Sequence, residues 1–515
     1  MFNKSLLIFL VFFNSICFLQ AAEIKNDNLY LEVEIIPNAE SLRLKTPGEL
    51  TIQEIDSPFQ IKFDNPNLVI ELYKKIKADA IWKIGIKRAK TLAEARKFIK
   101  NFPETNFIEK NQVKIDGNQI YQEKIYSIYK RKSYQSYEAA KSDSDIDNWI
   151  EEDIEFDANE IYIYDQTTGE DYYIGAPIRL TSSAHISVFD VPKANFWNPQ
   201  TYLTRTYYEN MLVELSKIGK LNLISEVELE KYVAGVVPNE IGKNVPMQAL
   251  RAQAIAARSE ALYKVIHGVH KDDGFDLCAS IHCQVYSGIS DLSEPVKRAV
   301  NSTSYQVAEY DDKIINAVYS TNCGGITVNS AAAWDGPEIP YLQPRYDARY
   351  QESINLDDEY KARNWLRKNS EVFCNTTGQK GWRSKTYRWT KEYLISEFEE
   401  LLNKRFEFGN FIDIEVAKRG NSGRISEIKI EGTKQELILD DRLQIRQILG
   451  GLRSTFFLIE VDDKIMFIGK GSGHGVGMCQ MGAIEMAHQK YSAEEILKHY
   501  FTDIEIKRMN VKTNE

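Results

Sequence analysis

The chain has no excess of positive charge: 64 Lys and Arg face 74 Asp and Glu, for a net charge of -10. That disfavours nucleic acid as a partner, because such binding needs a basic footprint. A polyanionic substrate is disfavoured for the same reason. Beyond the N-terminus, no apolar run approaches the roughly 20 residues of a membrane helix. Cysteine is sparse, six in 515 residues. Setting aside Cys17 near the N-terminus leaves Cys278, Cys283, Cys323, Cys374 and Cys479. An odd count fits a complete disulfide framework poorly and leaves a metal site, a free thiol, or one disulfide plus extras. Phosphate and dinucleotide fingerprints are also missing: the one glycine-rich loop lacks the Lys and Ser/Thr of a P-loop and the spacing of a dinucleotide site.

What is present describes a soluble globular chain, 43% apolar and 27% charged, long enough for about two to four domains. Lys4 precedes an apolar stretch, Leu6–Leu19, broken by Asn14 and Ser15 and followed by Ala21 and Ala22. Residues 1–22 read as a secretory signal peptide cut near Ala22, with an uncleaved anchor as the other reading. The first reading places the protein in the periplasm or cell envelope.

The texture then changes several times. Residues 23–78 alternate apolar and polar, as in LYLEVEII (29–36), and predict short strands. Residues 79–145 hold a weak repeat of strand, basic turn and helix, with Glu94-Ala95 and Glu138-Ala139 at matching places. Two such units predict a βαββαβ module. In pattern it resembles the SPOR family, whose modules bind peptide-free glycan strands; an ordinary α+β domain is the alternative. Residues 146–209 read as an acidic linker, within the run at 142–160, followed by a β-rich segment. Residues 210–512 carry the chemistry.

Four motifs stand there. In YVAGVVPNEIGKNVPMQALRAQAIAAR (232–258), Glu240 is expected on a loop before a helix opened by Pro246. Leu250, Ala254, Ala257 and Ala261 mark a small-residue face for close packing, with Arg258 beside it and Glu240 its near candidate partner. In HGVHKDDGFDLCASIHCQVYSG (267–288), His270, Cys278 and Cys283 are zinc-type ligands, with His267 and His282 as spares; a Cys278–Cys283 disulfide is the competing reading. In AVYSTNCGGITVNSAAAWDG (317–336), Gly324 and Gly325 permit close approach of a backbone or ligand, and Ser320, Thr321 and Asn322 offer sugar-type contacts. In GKGSGHGVGMCQMGAIEMA (469–487), alternating glycines present His474 before a helix starting near Gln480.

In this order the motifs resemble the SpoIID/LytB family, over about residues 210–510. The resemblance implies a mixed α+β, multi-domain protein: a SpoIID-like catalytic domain with a central cleft, a small N-terminal α+β module, and a β-rich connecting segment. It implies a lytic transglycosylase of peptidoglycan glycan strands with Glu240 as the single acid/base. It implies that Arg258, Gln284, Tyr286, Ser320, Thr321, Gly324, Gly325, His474 and Gln480 bind or orient substrate, and that His270, Cys278 and Cys283 hold a structural Zn2+. Cys479 departs from the family pattern, which has Ser there. LytB-like members imply the alternative, a non-catalytic glycan-binding enhancer of a cell-wall amidase; an amidase proper is a third reading.

Overall fold

The computed structural model describes residues 18–19, 23–25 and 28–512, except 56, 74–77, 117–118, 145–147, 157–158, 194–200, 335 and 380. The proposed cleavage point near Ala22 and most of the N-terminal apolar stretch lie outside the described residues. Phe18–Leu19 forms a short strand against Val113–Lys114.

Alternating burial builds the N-terminal sheets. In Asn28–Ala39, Leu29, Leu31, Val33 and Ile35 are buried and alternate with partly exposed residues up to Ile35, so one face of the strand is apolar. That strand lies in an eight-stranded sheet between Leu277–Cys278 and Leu221–Glu228; the sheet continues through Asn210–Leu215, Ile178–Ser182, Glu49–Glu54 and Gln60–Asp64. A second, six-stranded sheet likewise mixes strands from 41–72 with strands from 160–207. The stretches read from sequence as 23–78 and 146–209 are therefore not separate bodies. They interleave around one core, which also takes in the helices of the C-terminal half. Strand pairing is non-local, and no local signal announces it.

The intervening module has the expected βαββαβ order. Strands Ala78–Ala89, Thr105–Asp116, Gln119–Tyr134 and Trp149–Phe156 carry α1 (Leu92–Asn101) and α2 (Tyr137–Ser142). These four strands pair antiparallel with one another, 78–89 and 119–134 central, and Asn510–Lys512 adds a parallel pairing to 119–134. The repeat shows at the helix starts: Thr91 and Ser136 cap α1 and α2 by accepting from the N–H groups of Glu94 and Ala139. The acidic run at 142–160, expected to be a solvated linker, supplies the fourth strand. Its anchor is Trp149, whose ring lies where a Cβ on Gly85 would stand, with Arg88 over it at 5.3 Å.

The C-terminal half is organised on α3 (Leu229–Glu240) and α4 (Met247–Ile266). Helix α4 is buried on nearly every side, Leu250, Ala254, Ala257 and Ala261 completely. Such a helix is a core element, not a surface one. Its Arg258 has no exposed surface and does not reach toward Glu240. Instead it forms a two-pronged pair with Glu230 of α3, Nε to Oε1 at 2.8 Å and Nη2 to Oε2 at 2.6 Å, and donates to the Gln306 carbonyl at 2.8 Å. The sequence expectation paired the wrong carboxylate, because Glu230 and Glu240 sit at opposite ends of α3. Residues 388–470 add two three-stranded sheets with their own core. Within GWRSKTYRWTKEYL (381–394), Tyr387 and Trp389 are buried, while Trp382 is 59% exposed.

Removing one partner of a buried, hydrogen-bonded ion pair strands the other charge. Glu230→Ala is expected to lower stability by about 3–5 kcal/mol, measured by chemical denaturation. Arg258→Lys is expected not to restore it, because an ammonium cannot make the two-pronged contact.

Candidate active site and metal centre

Glu240 is the last residue of α3 rather than part of a loop. Pro238 precedes it inside the helix, and Asn239 closes the turn by donating to the Gly235 carbonyl at 2.8 Å and to Ser287 Oγ at 2.6 Å. Gly235 is where the 286–288 segment crosses the helix: a Cβ there would stand 2.6 Å from the Gly288 carbonyl and 2.6 Å from the Tyr286 ring. That close crossing brings the Val285 N–H to Glu240 Oε1 at 2.9 Å. Oε2 has no hydrogen-bond partner among the described residues.

Burial pushes the Glu240 carboxyl up to about 7; the charge of Glu260 adds to the rise, while the Val285 N–H and the charge of Lys264 oppose it. Glu260 and Lys264 form an ion pair at 2.8 Å. Gln284 gathers the surrounding groups: its amide donates to Glu260 Oε2, the Ala257 carbonyl and Tyr319 Oη, and its carbonyl accepts from Tyr232 Oη.

His474 is fixed as a neutral imidazole. Nδ1 accepts from the Val476 N–H at 3.1 Å, so Nε2 carries the proton and donates to the Tyr319 carbonyl at 2.9 Å. Burial lowers its pKa to about 4. Trp334, 41% exposed, lies beside it at 5.1 Å between ring centroids. The glycines around it serve the protein's own packing. Gly475 (φ 79°) leaves room for the Arg424 guanidinium, and Gly477 (φ 66°) for the Val318 carbonyl.

Among the residues expected to contact substrate, only Thr321 and His474 are partly exposed, along with Glu240 itself. Arg258, Gln284, Tyr286, Ser320, Gly324, Gly325 and Gln480 are buried. Tyr286 lies against Tyr232, ring centroids 5.1 Å apart. Gln480 donates to Gln253 at 3.2 Å, and a Cβ on Gly324 would meet the Gly471 N–H. These side chains position the site from behind. Asn322, also read as a sugar contact, is fully buried and donates to the Cys374 carbonyl and Thr386. Sequence reading passed over Val285, which acts through its backbone, and Arg383, whose guanidinium lies beside Gly242 next to exposed Trp382.

Cys278 and Cys283 are free thiols, not a disulfide. With His270 they meet a fourth donor, His282, and all four ligand atoms lie within 4.8 Å of one another. His270 Nε2 faces Cys283 Sγ at 3.3 Å, and its Nδ1 is held by Asp273 at 3.0 Å, the outer carboxylate contact that orients a metal-binding imidazole. Two sulfurs and two nitrogens are a zinc donor set, and four protein ligands leave no open position. Lys264 ties this loop to the carboxylate cluster by donating to the carbonyls of His282 at 3.0 Å and Cys283 at 2.8 Å.

A carboxyl with a raised folded pKa binds its proton more tightly in the folded state. Stability is therefore intact at acid pH and falls as pH climbs through about 7. Glu240→Gln removes that loss. Near pH 8 the variant is expected to be more stable than the parent by roughly 1–3 kcal/mol, a figure discounted for the carboxyl's partial exposure. Near pH 4 the difference should vanish; equal denaturation midpoints at both pH values would show an unshifted carboxyl.

A family model described as Stage II sporulation protein matches residues 217–310, and one described as Domain of unknown function (DUF8618) matches residues 329–477. The chain is 32% identical over 286 residues to an uncharacterised protein of Brachyspira hyodysenteriae, covering 55% of this chain and 68% of that one. It is 27% identical over 296 residues to Stage II sporulation protein D of Bacillus amyloliquefaciens, covering 55% of this chain and 75% of that protein. It is also 27% identical over 284 residues to the Amidase enhancer of Bacillus subtilis (strain 168), covering 52% of this chain but 39% of that protein. The four motifs, the helix pair that carries Glu240 and these matches agree: the chain belongs to the SpoIID/LytB family.

Proposed function

We propose that the protein remodels the cell wall as a peptidoglycan lytic transglycosylase, with Glu240 as its single acid/base. The observation that carries this reading is a carboxyl raised to about 7 whose one oxygen is anchored by a backbone N–H while the other is left to react. A carboxyl in that range is protonated often enough to act as an acid near neutrality and basic enough to recover the proton.

In the proposed reaction the Glu240 proton passes to the glycosidic oxygen as the bond from muramic acid C1 to N-acetylglucosamine breaks. The 6-hydroxyl of the same muramic acid bonds to C1, and its proton returns to Glu240. No water is consumed, and the product ends in a 1,6-anhydro sugar. An ordinary glycosidase needs a second carboxylate as base or nucleophile. Here the nucleophile is held within the substrate, and proximity takes over that role. Exposed Trp334 and Trp382 offer flat apolar faces to pyranose rings, and Arg383 offers donors beside Gly242.

In the same reading His270, Cys278, His282 and Cys283 hold a structural Zn2+. Bound there, the ion rigidifies the loop that runs from Cys283 into Val285, the residue whose N–H holds Glu240. Its closed ligand set disfavours an amidase working through a metal-bound water. The N-terminal apolar stretch supports export, and among the described residues no helix is long and apolar enough to cross a membrane. The similarity to the Amidase enhancer favours a second reading, a non-catalytic glycan binder that assists a cell-wall amidase.

Mass spectrometry of digested sacculi separates these readings. Anhydromuramic ends are expected from the parent protein, and Glu240→Gln is expected to lower their formation by about 100-fold or more while remaining folded. Undiminished product from that variant removes Glu240 from the chemistry; freed stem peptides indicate an amidase, and no product a binder. Cys278→Ser is expected to lose one zinc equivalent relative to the parent, read by elemental analysis.

A further inference from the structure

The remaining three cysteines come from distant parts of the chain and converge. Cys323 belongs to the STNCGG motif, Cys479 to the glycine-rich motif, and Cys374 to the segment between them. Together with Asp347 they place three sulfurs and a carboxylate oxygen within 4.8 Å of one another. All four residues are buried, Cys323, Asp347, Cys374 and Cys479 each with no exposed surface. We propose that Cys323, Asp347, Cys374 and Cys479 form a second metal centre, a mononuclear Cys3Asp site for a thiophilic divalent ion such as Zn2+.

The spacing fits one ion. With metal–sulfur bonds of about 2.3 Å, two ligands of a tetrahedron stand about 3.8 Å apart. Cys323 Sγ lies 3.6 Å from Cys374 Sγ and 3.5 Å from Asp347 Oδ2. A disulfide requires about 2.05 Å between sulfurs. It would also leave Cys479 as a lone buried thiol beside the Asp347 carboxylate. The cage of an iron–sulfur cluster needs its thiolates more widely spread than one tetrahedron.

The surroundings are built for ligands held in place. Asp347 Oδ1 accepts from Tyr500 Oη at 2.8 Å and Oδ2 from the Cys374 N–H at 2.9 Å. Gly482 makes room for that carboxylate, since a Cβ there would stand 2.7 Å from Oδ1. Cys479 caps the helix Gln480–His488, and its sulfur accepts the Cys323 N–H at 3.2 Å. N–H contacts and a helix N-terminus both favour a thiolate.

Charge points the same way. A divalent ion with three thiolates and a carboxylate carries a net charge of about -2. Two buried basic side chains flank the cluster. Arg424 donates to the Cys323 and Ile326 carbonyls, and Lys470 to the Trp365 and Lys368 carbonyls and to Tyr387. Neither has an acidic partner among the described residues, and Arg424 Nε has no hydrogen-bond partner there. With Asp347 as the only anion, two buried basic groups would be left partly uncompensated; an anionic metal centre balances both. Bound there, the ion would pin the 329–477 segment to the two motifs that frame His474.

Elemental analysis of the full-length protein, purified without chelator, tests this. About two zinc equivalents per chain are expected. Cys278→Ser/Cys283→Ser should keep one and Cys323→Ser/Cys374→Ser should keep the other. If the first double variant is metal-free, or if intact mass shows a Cys323–Cys374 disulfide in the parent, the proposal is overturned. Should either variant fail to fold, X-ray absorption at the zinc edge of the parent decides. Five thiolates shared between two ions support the second centre, and two thiolates on a single ion refute it.

Discussion

Because α4 is buried on nearly every side, the polar groups it carries look for partners in whichever element packs there. Those partners set the register of the C-terminal half. Arg258 fixes α3 through Glu230 and reaches the strand at 306–310 through the Gln306 carbonyl. Ser259 holds the Ala308 N–H, Gln253 meets Gln480 of the glycine-rich motif, and Glu260 meets Gln284, next to Cys283. One alanine-rich helix thus aligns three of the four motifs. Alanines permit the close approach, and the few long polar side chains make that approach specific.

The same arrangement gives the nearby carboxyls different partners, although burial raises Glu260 as well as Glu240. Glu230 is bound to a guanidinium and Glu260 to Lys264 and Gln284, whereas Glu240 has a single N–H on one oxygen. Burial without a cation of its own raises it; a direct Arg258 contact would have lowered it. The separation of Arg258 from Glu240 therefore leaves burial to raise the Glu240 carboxyl, the property that the proposed acid role needs.

Much of this was legible from residue order. The small-residue face of α4, the gathering of His270, Cys278 and Cys283 and the βαββαβ repeat are local patterns, and local patterns survive in a sequence. Three things were not legible. The N-terminal sheets interleave strands from both sides of an inserted module, a choice made by long-range pairing alone. Val285 acts through its N–H, which every residue but proline has. And Glu230 was passed over because linear nearness to the Pro-Asn-Glu turn favoured Glu240 as the partner of Arg258, while α3 points the two carboxylates to opposite ends.

His474 shows how a motif can be prominent for a reason other than catalysis. Its two ring nitrogens are both engaged, one accepting from Val476 and one donating to the Tyr319 carbonyl, and burial keeps it neutral. A group so held is a poor proton carrier. It is a good clamp, because it joins the glycine-rich loop to the backbone of Tyr319, whose ring closes on Gln284 next to the carboxylate cluster. The positive-φ glycines that flank it follow from the same packing: larger residues would collide with Arg424 or Val318. The loop is thus held rigid by its own packing, and in the proposed reaction proton transfer falls to Glu240 rather than to His474.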